Sequence, residues 1–228
     1  MTTDEVVEAA SLDAEGRRSV LAAVDLLFAA AVMSHSGHAN LSARIDEDTF
    51  LLTTSGTVRD LRADQLATLT LDGEVVAGEL TAENAEIVDM HAVVYRARPE
   101  VGAIIHTHSP AATGFALANQ ELPCRAEPLL RFGQAQPVPV VPWGPRGSGA
   151  SVRGISAVLA TQPTTSAVLL ANHGLLAFGP DPVAAARLVV AIEESAEAEL
   201  AAAALGGAVD FPDGALEAVV ESMTRARS

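Results

Sequence analysis

The 228-residue chain contains no lysine; all fourteen of its basic residues are arginine. Schiff-base catalysis, pyridoxal phosphate attachment and Walker-type phosphate loops all require a lysine, so each is excluded. If the protein handles a carbonyl carbon, a metal ion is the electrophile that remains. Cysteine is nearly missing as well, and the lone Cys124 cannot close an internal disulfide. Positive charge is scarce, for a formal net charge of −15, and the arginines are scattered rather than gathered into a stripe. That pattern argues against nucleic acid or an anionic membrane as a partner. Long apolar runs are lacking too: the stretches from Val20 to Met33 and from Ala185 to Ala204 carry charges or are alanine-rich. Neither offers the roughly twenty strongly apolar residues of a membrane span. Met1-Thr2-Thr3-Asp4-Glu5 has no basic n-region of a signal peptide, which makes the reducing cytoplasm the expected compartment.

What is present suits one large domain, since 49% of 228 residues are hydrophobic and a chain of this size can bury a core. Neither an internal repeat nor a clear linker divides it, so residues 1–228 are expected to form a single domain. Apolar residues at helical spacing, Val20, Ala23, Leu26, Leu27 and Ala30, predict a helix from about Asp13 to Met33. Strands are predicted near Asn40–Ile45 and Phe50–Thr53, and Asp72-Gly73 has the sequence of a type I′ hairpin turn. A helix from about Ala82 to Ala97 should stop before Arg98-Pro99, because proline disfavours helix in the residue before it. A proline-rich stretch from Asn119 to Gly149, holding Trp143, reads as a connector or a substrate-facing surface. Helices near Ala150–Ala160 and Pro182–Leu205, and a short one after Asp213, complete the pattern.

The segment Ile104-Ile105-His106-Thr107-His108-Ser109-Pro110 carries the most chemical information. In a strand, residues two apart point to the same face, so the two imidazoles can reach one point in space. Further on, the apolar run Ala167–Ala171 delivers Asn172-His173-Gly174 at a strand end, where glycine lets backbone approach closely. An unpartnered imidazole is costly to bury, and three of them together would make a catalytic metal site with open coordination positions. A bare HxH also occurs as two unrelated histidines, one buried and one exposed, so the pattern alone leaves both readings open.

Taken together, Asn40-Leu41-Ser42-Ala43-Arg44, Leu52-Thr53-Thr54-Ser55-Gly56, the run from Met90-His91 through Tyr95 to Pro99, His106-x-His108 and Asn172-His173-Gly174 resemble the class II aldolase/adducin family. The resemblance implies an α/β/α sandwich around a mostly antiparallel sheet. It implies a divalent metal held by His106, His108 and His173, zinc first among the choices, with manganese, iron, cobalt or nickel as alternatives. It also implies a homotetramer with active sites between subunits, and a substrate phosphate or carboxylate facing Asn40 and the Thr54-Ser55-Gly56 turn, whose hydroxyl, amide and backbone donors suit an anion.

The departures from the family pattern are informative. Its phosphate-gripping Ser-Ser pair is missing before the helix, where this chain reads Thr81-Ala82-Glu83-Asn84-Ala85-Glu86. Counting back from His91 puts the place of the family's glutamate, a metal ligand and proton shuttle, on Ile87, and aligning from Gly78-Glu79-Leu80 puts it near Glu83 or Asn84; with a short insertion that shifts the helix start, Glu86 is the expected counterpart and Glu83 the next. Both are also ordinary first-turn acids favoured by a helix dipole. Tyr95 is the only tyrosine and belongs to the helix motif with His91, so the family's catalytic tyrosines have no counterpart; Glu127 stands where one of them would be. Glu127 is either an alternative proton carrier or a rim acid. His91 reads as a packing residue, whereas His35 and His38 could reach substrate or lie on the surface.

The expected activity is a metal-dependent carbon–carbon lyase, aldolase-like, on a small hydroxylated keto compound, passing through a metal-stabilised enediolate. Decarboxylation of a hydroxy-aromatic or keto acid by the same metal is the alternative. A non-catalytic, adducin-like interaction module is the reading from another class, and retention of all three histidines argues against it.

Overall fold

The computed structural model describes residues 3–81 and 85–225. Along the chain come α1 (Thr3–Ala29), β1 (Ala39–Arg44), β2 (Thr49–Thr53), β3 (Leu66–Thr70), β4 (Val75–Ala77), α2 (Ala85–Ala97), β5 (Ala103–Thr107), α3 (Pro110–Ala118), α4 (Glu127–Arg131), β6 (Val140–Val141), α5 (Ala150–Thr161), β7 (Ala167–Leu170), β8 (Gly174–Gly179), α6 (Pro182–Ala203) and α7 (Ala215–Arg225). The strands form one sheet in the order β4-β3-β2-β1-β5-β8-β7-β6. Every pairing is antiparallel except that of β6 with β7.

Strand periodicity sorts the core into two layers. Leu41, Ile105, Leu169, Leu175 and Ala177 meet α1, α3 and α6 on one face. Residues of the opposite parity, Leu52, Ile104, Val168, Leu170 and Leu176, meet α2 and α5 on the other. Both faces of the central strands are buried, as their nearly continuous apolar runs require. The result is the three-layer α/β/α sandwich with a mostly antiparallel sheet. On β5, Ile104 and His106 share the α2/α5 face, so the strand's period carries the first imidazole to that side.

Three details depart from the periodicity reading. Helix α1 starts at Thr3 rather than near Asp13 and stops at Ala29, with Ala31 left-handed at φ 57°. Its alanine- and glutamate-rich first turns favour helix by propensity while carrying little apolar periodicity. The Asp72-Gly73 turn is not type I′, for only Gly73 takes a positive φ, 87°. Instead Leu71, Asp72 and Gly73 form a three-residue loop, with Thr70 N–H bonded to Glu74 O at 2.9 Å and Gly73 N–H to Thr70 O at 2.9 Å. That is the alternative hairpin in which a left-handed glycine follows a tight turn. Finally, the proline-rich stretch contains α4 and β6, elements too short to leave a period in sequence.

Glu193 on α6 is 2% exposed, and its two carboxylate oxygens accept from the backbone N–H groups of Ala111 (2.7 Å) and Ala112 (2.8 Å). It thereby satisfies the open first turn of α3, where Pro110 lacks a donor, and pins the segment that follows His108. Burial pushes its carboxyl pKa up, and the two backbone bonds pull it back down.

Candidate metal centre and cleft

His106 and Asn40 are directly opposed across the β1–β5 ladder, and His106 pairs on its other side with Leu176 of β8. His108 lies just past β5. His173 sits in the tight turn from β7 to β8, which Asn172 permits by adopting φ 57°, a conformation asparagine tolerates better than most residues. His173 N–H closes the turn on Leu170 O at 3.0 Å. Gly174 then passes so close to β5 that a Cβ there would lie 2.5 Å from Thr107 O and 2.8 Å from His108 Cδ2. Only glycine leaves room for the three rings.

Those rings converge. Centroids lie 4.9 Å apart for His106 and His108, 4.7 Å for His106 and His173, and 5.0 Å for His108 and His173. One nitrogen from each falls within 4.8 Å of the others, the one such His/Cys/Asp/Glu group among the described residues. His106 Nδ1 lies 2.9 Å from Leu175 O. A carbonyl only accepts, so Nδ1 carries the proton and Nε2 keeps its lone pair. His108 Nε2 is buried without a hydrogen-bond partner, a costly arrangement unless something else occupies the lone pair. Burial, then the neighbouring rings of His173 and His108, hold His106 well below the ordinary histidine pKa. Burial, then His173 and His38, lower His108 to about 4. Both are therefore neutral at pH 7, the state in which imidazole binds metal. An oriented tautomer on His106, an orphaned buried nitrogen on His108 and the convergence of both with His173 fit a divalent ion.

Depressed pKa values carry a stability consequence. His91 is fully buried and its pKa is lowered to about 3 by that burial, so between pH 6.5 and about 3 the unfolded chain binds a proton there that the folded chain does not. Stability is complete above the unfolded value and falls with pH through that window. His106 and His108 act in the same direction. For His91 alone the loss between pH 7.5 and 5 is about 2 kcal/mol, at about 1.4 kcal/mol per pH unit below 6.5. Urea midpoints measured in chelator should drop accordingly; an unchanged midpoint between pH 7.5 and 5 contradicts the neutral, buried assignment.

The triad opens into a cleft of about 500 Å³. Asn40 and Gly56 line it. The Thr54 and Ser55 hydroxyls instead bond locally, to Gln65 O at 3.1 Å and Thr57 O at 2.9 Å. Glu127 is outside this cleft, its carboxylate held by Arg131 on the exposed face of α4. Glu83 lies outside the described residues; Glu86 occupies the first turn of α2, and its side chain also lies outside the description. His38 lines the cleft, its ring stacked at 6.4 Å and 21° on His108. His35 does not line it. The proline-rich stretch does face the cleft, through Trp143 and Arg146; sequence reasoning named Trp143 within it but missed Arg146 as an individual residue, and missed Ser151, which lines the cleft from the first turn of α5. A solitary tryptophan in a Pro-Trp-Gly-Pro-Arg-Gly run was the available signal.

With this geometry in hand, the comparisons are specific. The model of the Class II Aldolase and Adducin N-terminal domain matches residues 19–200, and the chain belongs to that family. It is 31% identical over 169 residues to a 3-oxo-tetronate 4-phosphate decarboxylase of Haemophilus influenzae, covering 71% of this chain and 76% of the relative. It is 29% identical over 163 residues to an L-fuculose phosphate aldolase of Methanocaldococcus jannaschii, covering 71% and 83%. The solved structure of an L-fuculose 1-phosphate aldolase superposes with a TM-score of 0.78 at 24% identity, over 92% of this chain and 96% of that one. That last likeness establishes the fold. No helix among the described residues is long and apolar enough to cross a membrane.

Proposed function

We propose that the chain is a divalent-metal-dependent carbon–carbon lyase acting on a small keto compound that carries a phosphate or carboxylate. The convergence of three imidazoles on one point, with His108 Nε2 unpartnered, carries this reading. His106, His108 and His173 would hold the ion, zinc being the proposed occupant on a three-histidine donor set. A bound ion supplies positive charge beside the oxygen on which negative charge develops as the neighbouring carbon–carbon bond breaks. Asn40 and Arg146 line the same cleft and offer donors to an anionic substituent, while Trp143 and Met90 narrow its apolar wall.

Aldol cleavage and decarboxylation are both compatible with this centre. In aldol cleavage a base takes the β-hydroxyl proton, the carbon–carbon bond breaks to release an aldehyde, and the bonding pair stays on the carbon beside the carbonyl until a proton arrives. In decarboxylation carbon dioxide leaves, and only the later protonation is needed. No carboxylate of a described residue lines the cleft, which favours the decarboxylase reading unless Glu86 or Glu83 supplies the base. Glu86→Gln discriminates: turnover of an aldol substrate should fall about 10²–10⁴-fold if Glu86 is the base, with metal content retained. A near-silent Glu86→Gln with release of carbon dioxide from a 3-oxo acid phosphate turns the assignment to decarboxylation, and silence at Glu83, Glu86 and Glu127 alike rejects a carboxylate base.

The same reading includes a homotetramer with active sites completed between subunits. Supporting it are the exposed apolar residues Leu117, Leu200 and Val220, which on an isolated chain leave hydrophobic surface uncovered. Light scattering at micromolar concentration should return a tetramer mass, and a monomer contradicts it.

A further inference from the structure

Beneath Asn40 lies a chain of buried polar groups that the proposed chemistry does not use. Asn40 Oδ1 is 2.6 Å from His91 Nε2, His91 Nδ1 is 2.6 Å from Ser42 Oγ, and Ser42 Oγ is 2.7 Å from Tyr95 Oη. Ser42 and His91 are 0% exposed, Tyr95 1% and Asn40 5%. Protons can be arranged along these bonds in two directions, and the buried end decides between them. Among the described residues the Tyr95 hydroxyl has no acceptor other than Ser42 Oγ, so it must donate there or leave a buried O–H unpaired. Ser42 then donates to His91 Nδ1, and His91 Nε2–H donates to Asn40 Oδ1. The reverse direction would turn the Asn40 amide over, aiming its NH2 at His91 and its oxygen at the cleft. Arg44 secures the far end: its Nη2 donates to Tyr95 O at 2.7 Å, and its guanidinium lies 4.6 Å from the Tyr95 ring centroid. Burial keeps His91 neutral, with its pKa near 3, which removes the imidazolium that would donate at both nitrogens.

We propose that Tyr95, Ser42 and His91 are positioning residues that fix the orientation of the Asn40 amide, so that the cleft always meets its NH2 donor and never its oxygen. The ligand group opposite Asn40 is then one that only accepts hydrogen bonds, an ionised phosphate or carboxylate oxygen, rather than a hydroxyl that could satisfy either orientation. This inference rests on the reading of the cleft as a site for an anionic substrate.

The test has two independent readouts on the full-length, metal-loaded protein. Nitrogen-15 NMR of the histidine rings should show His91 as the Nε2–H tautomer, and Tyr95→Phe, which removes the hydroxyl that fixes the direction of the chain, should raise the share of the Nδ1–H form. A His91 found as Nδ1–H overturns the proposal. Inorganic phosphate, titrated calorimetrically, should bind the native protein and bind His91→Phe about tenfold more weakly, the worth of one charge-assisted hydrogen bond, with metal content unchanged. If His91→Phe does not fold, Asn40→Asp keeps the contact to His91 while replacing the NH2 by a second oxygen, and phosphate affinity should fall at least as far. Equal phosphate affinity in native protein and in either folded variant also overturns the proposal. Absence of phosphate binding to the native protein together with an Nε2–H His91 sinks the anionic-substrate reading instead and leaves the polarity of the chain standing.

Discussion

Replacing His108 with alanine is expected to abolish stoichiometric metal binding and cut turnover by about 10³-fold or more, while leaving the metal-free fold as stable as before or slightly more so. The catalytic loss follows from removing one of three ligands around a charge that contributes several kcal/mol to the transition state. The stability side follows from what His108 does without an ion. Its Nε2 is buried and unpartnered, and its pKa is lowered to about 4 by burial and by the His173 and His38 rings, so the folded chain carries an unfavourable group that alanine deletes. His106→Ala should behave differently in the apo protein. His106 is 3% exposed and gives its Nδ1 proton to Leu175 O at 2.9 Å, so its loss removes that hydrogen bond and leaves a cavity, and stability should drop by about 1–3 kcal/mol. Elemental analysis together with urea midpoints in chelator separates the two. A His108→Ala protein that keeps its metal removes His108 from the centre; one that unfolds shows the residue to be a structural member of the core.

That contrast also marks what could be read from the chain alone. His106 was legible because a strand has a period of two, and the β5 register against β1 places it on the face of Asn40; His108, one residue past β5, still brings its ring to 4.9 Å from that of His106. The layer structure was legible for the same reason, since alternate residues of β5 and β7 divide between two sets of helices. Long-range partners were not. Nothing near Glu193 in sequence indicates that its carboxylate meets the first turn of α3 some eighty residues away. Likewise Arg146 reaches the cleft from a loop without periodicity, where neither strand nor helix spacing says which way a side chain points, and Ser151 reaches it from the first turn of α5. His91 reads as a packing residue from its helix motif; its bonds to Asn40 and Ser42 exist only because α2 lies across β1. The turn at Asp72-Gly73 fails for a smaller reason, in that the dipeptide favours a two-residue loop while the pairing of Thr70 with Glu74 demands three.

Gly174→Ala is the second substitution expected to have a large effect, and it tests the geometry rather than the chemistry of the centre. A single methyl group there would stand 2.5 Å from Thr107 O, 2.8 Å from His108 Cδ2 and 3.4 Å from His106 Cε1. The nearest of these is backbone in the central strand, which cannot move aside as the end of a flexible side chain can. Gly174 also pairs with Leu170 across the β7–β8 turn, and Leu175 beside it supplies the carbonyl that orients His106. The clash must be relieved by separating β8 from β5 or by rotating His108, and either change pulls the three nitrogens apart. Overpacking of this kind costs about 1–3 kcal/mol of stability. Loss of the metal should be the larger effect, because a donor displaced by even about 1 Å no longer completes the set. The expected protein is folded by circular dichroism, somewhat less stable to urea, and deficient in metal with turnover reduced to match. A Gly174→Ala protein with native metal content and native turnover would mean that β5 and the β7–β8 turn are not held as closely as the triad requires, and the convergence of His106, His108 and His173 would lose its structural basis.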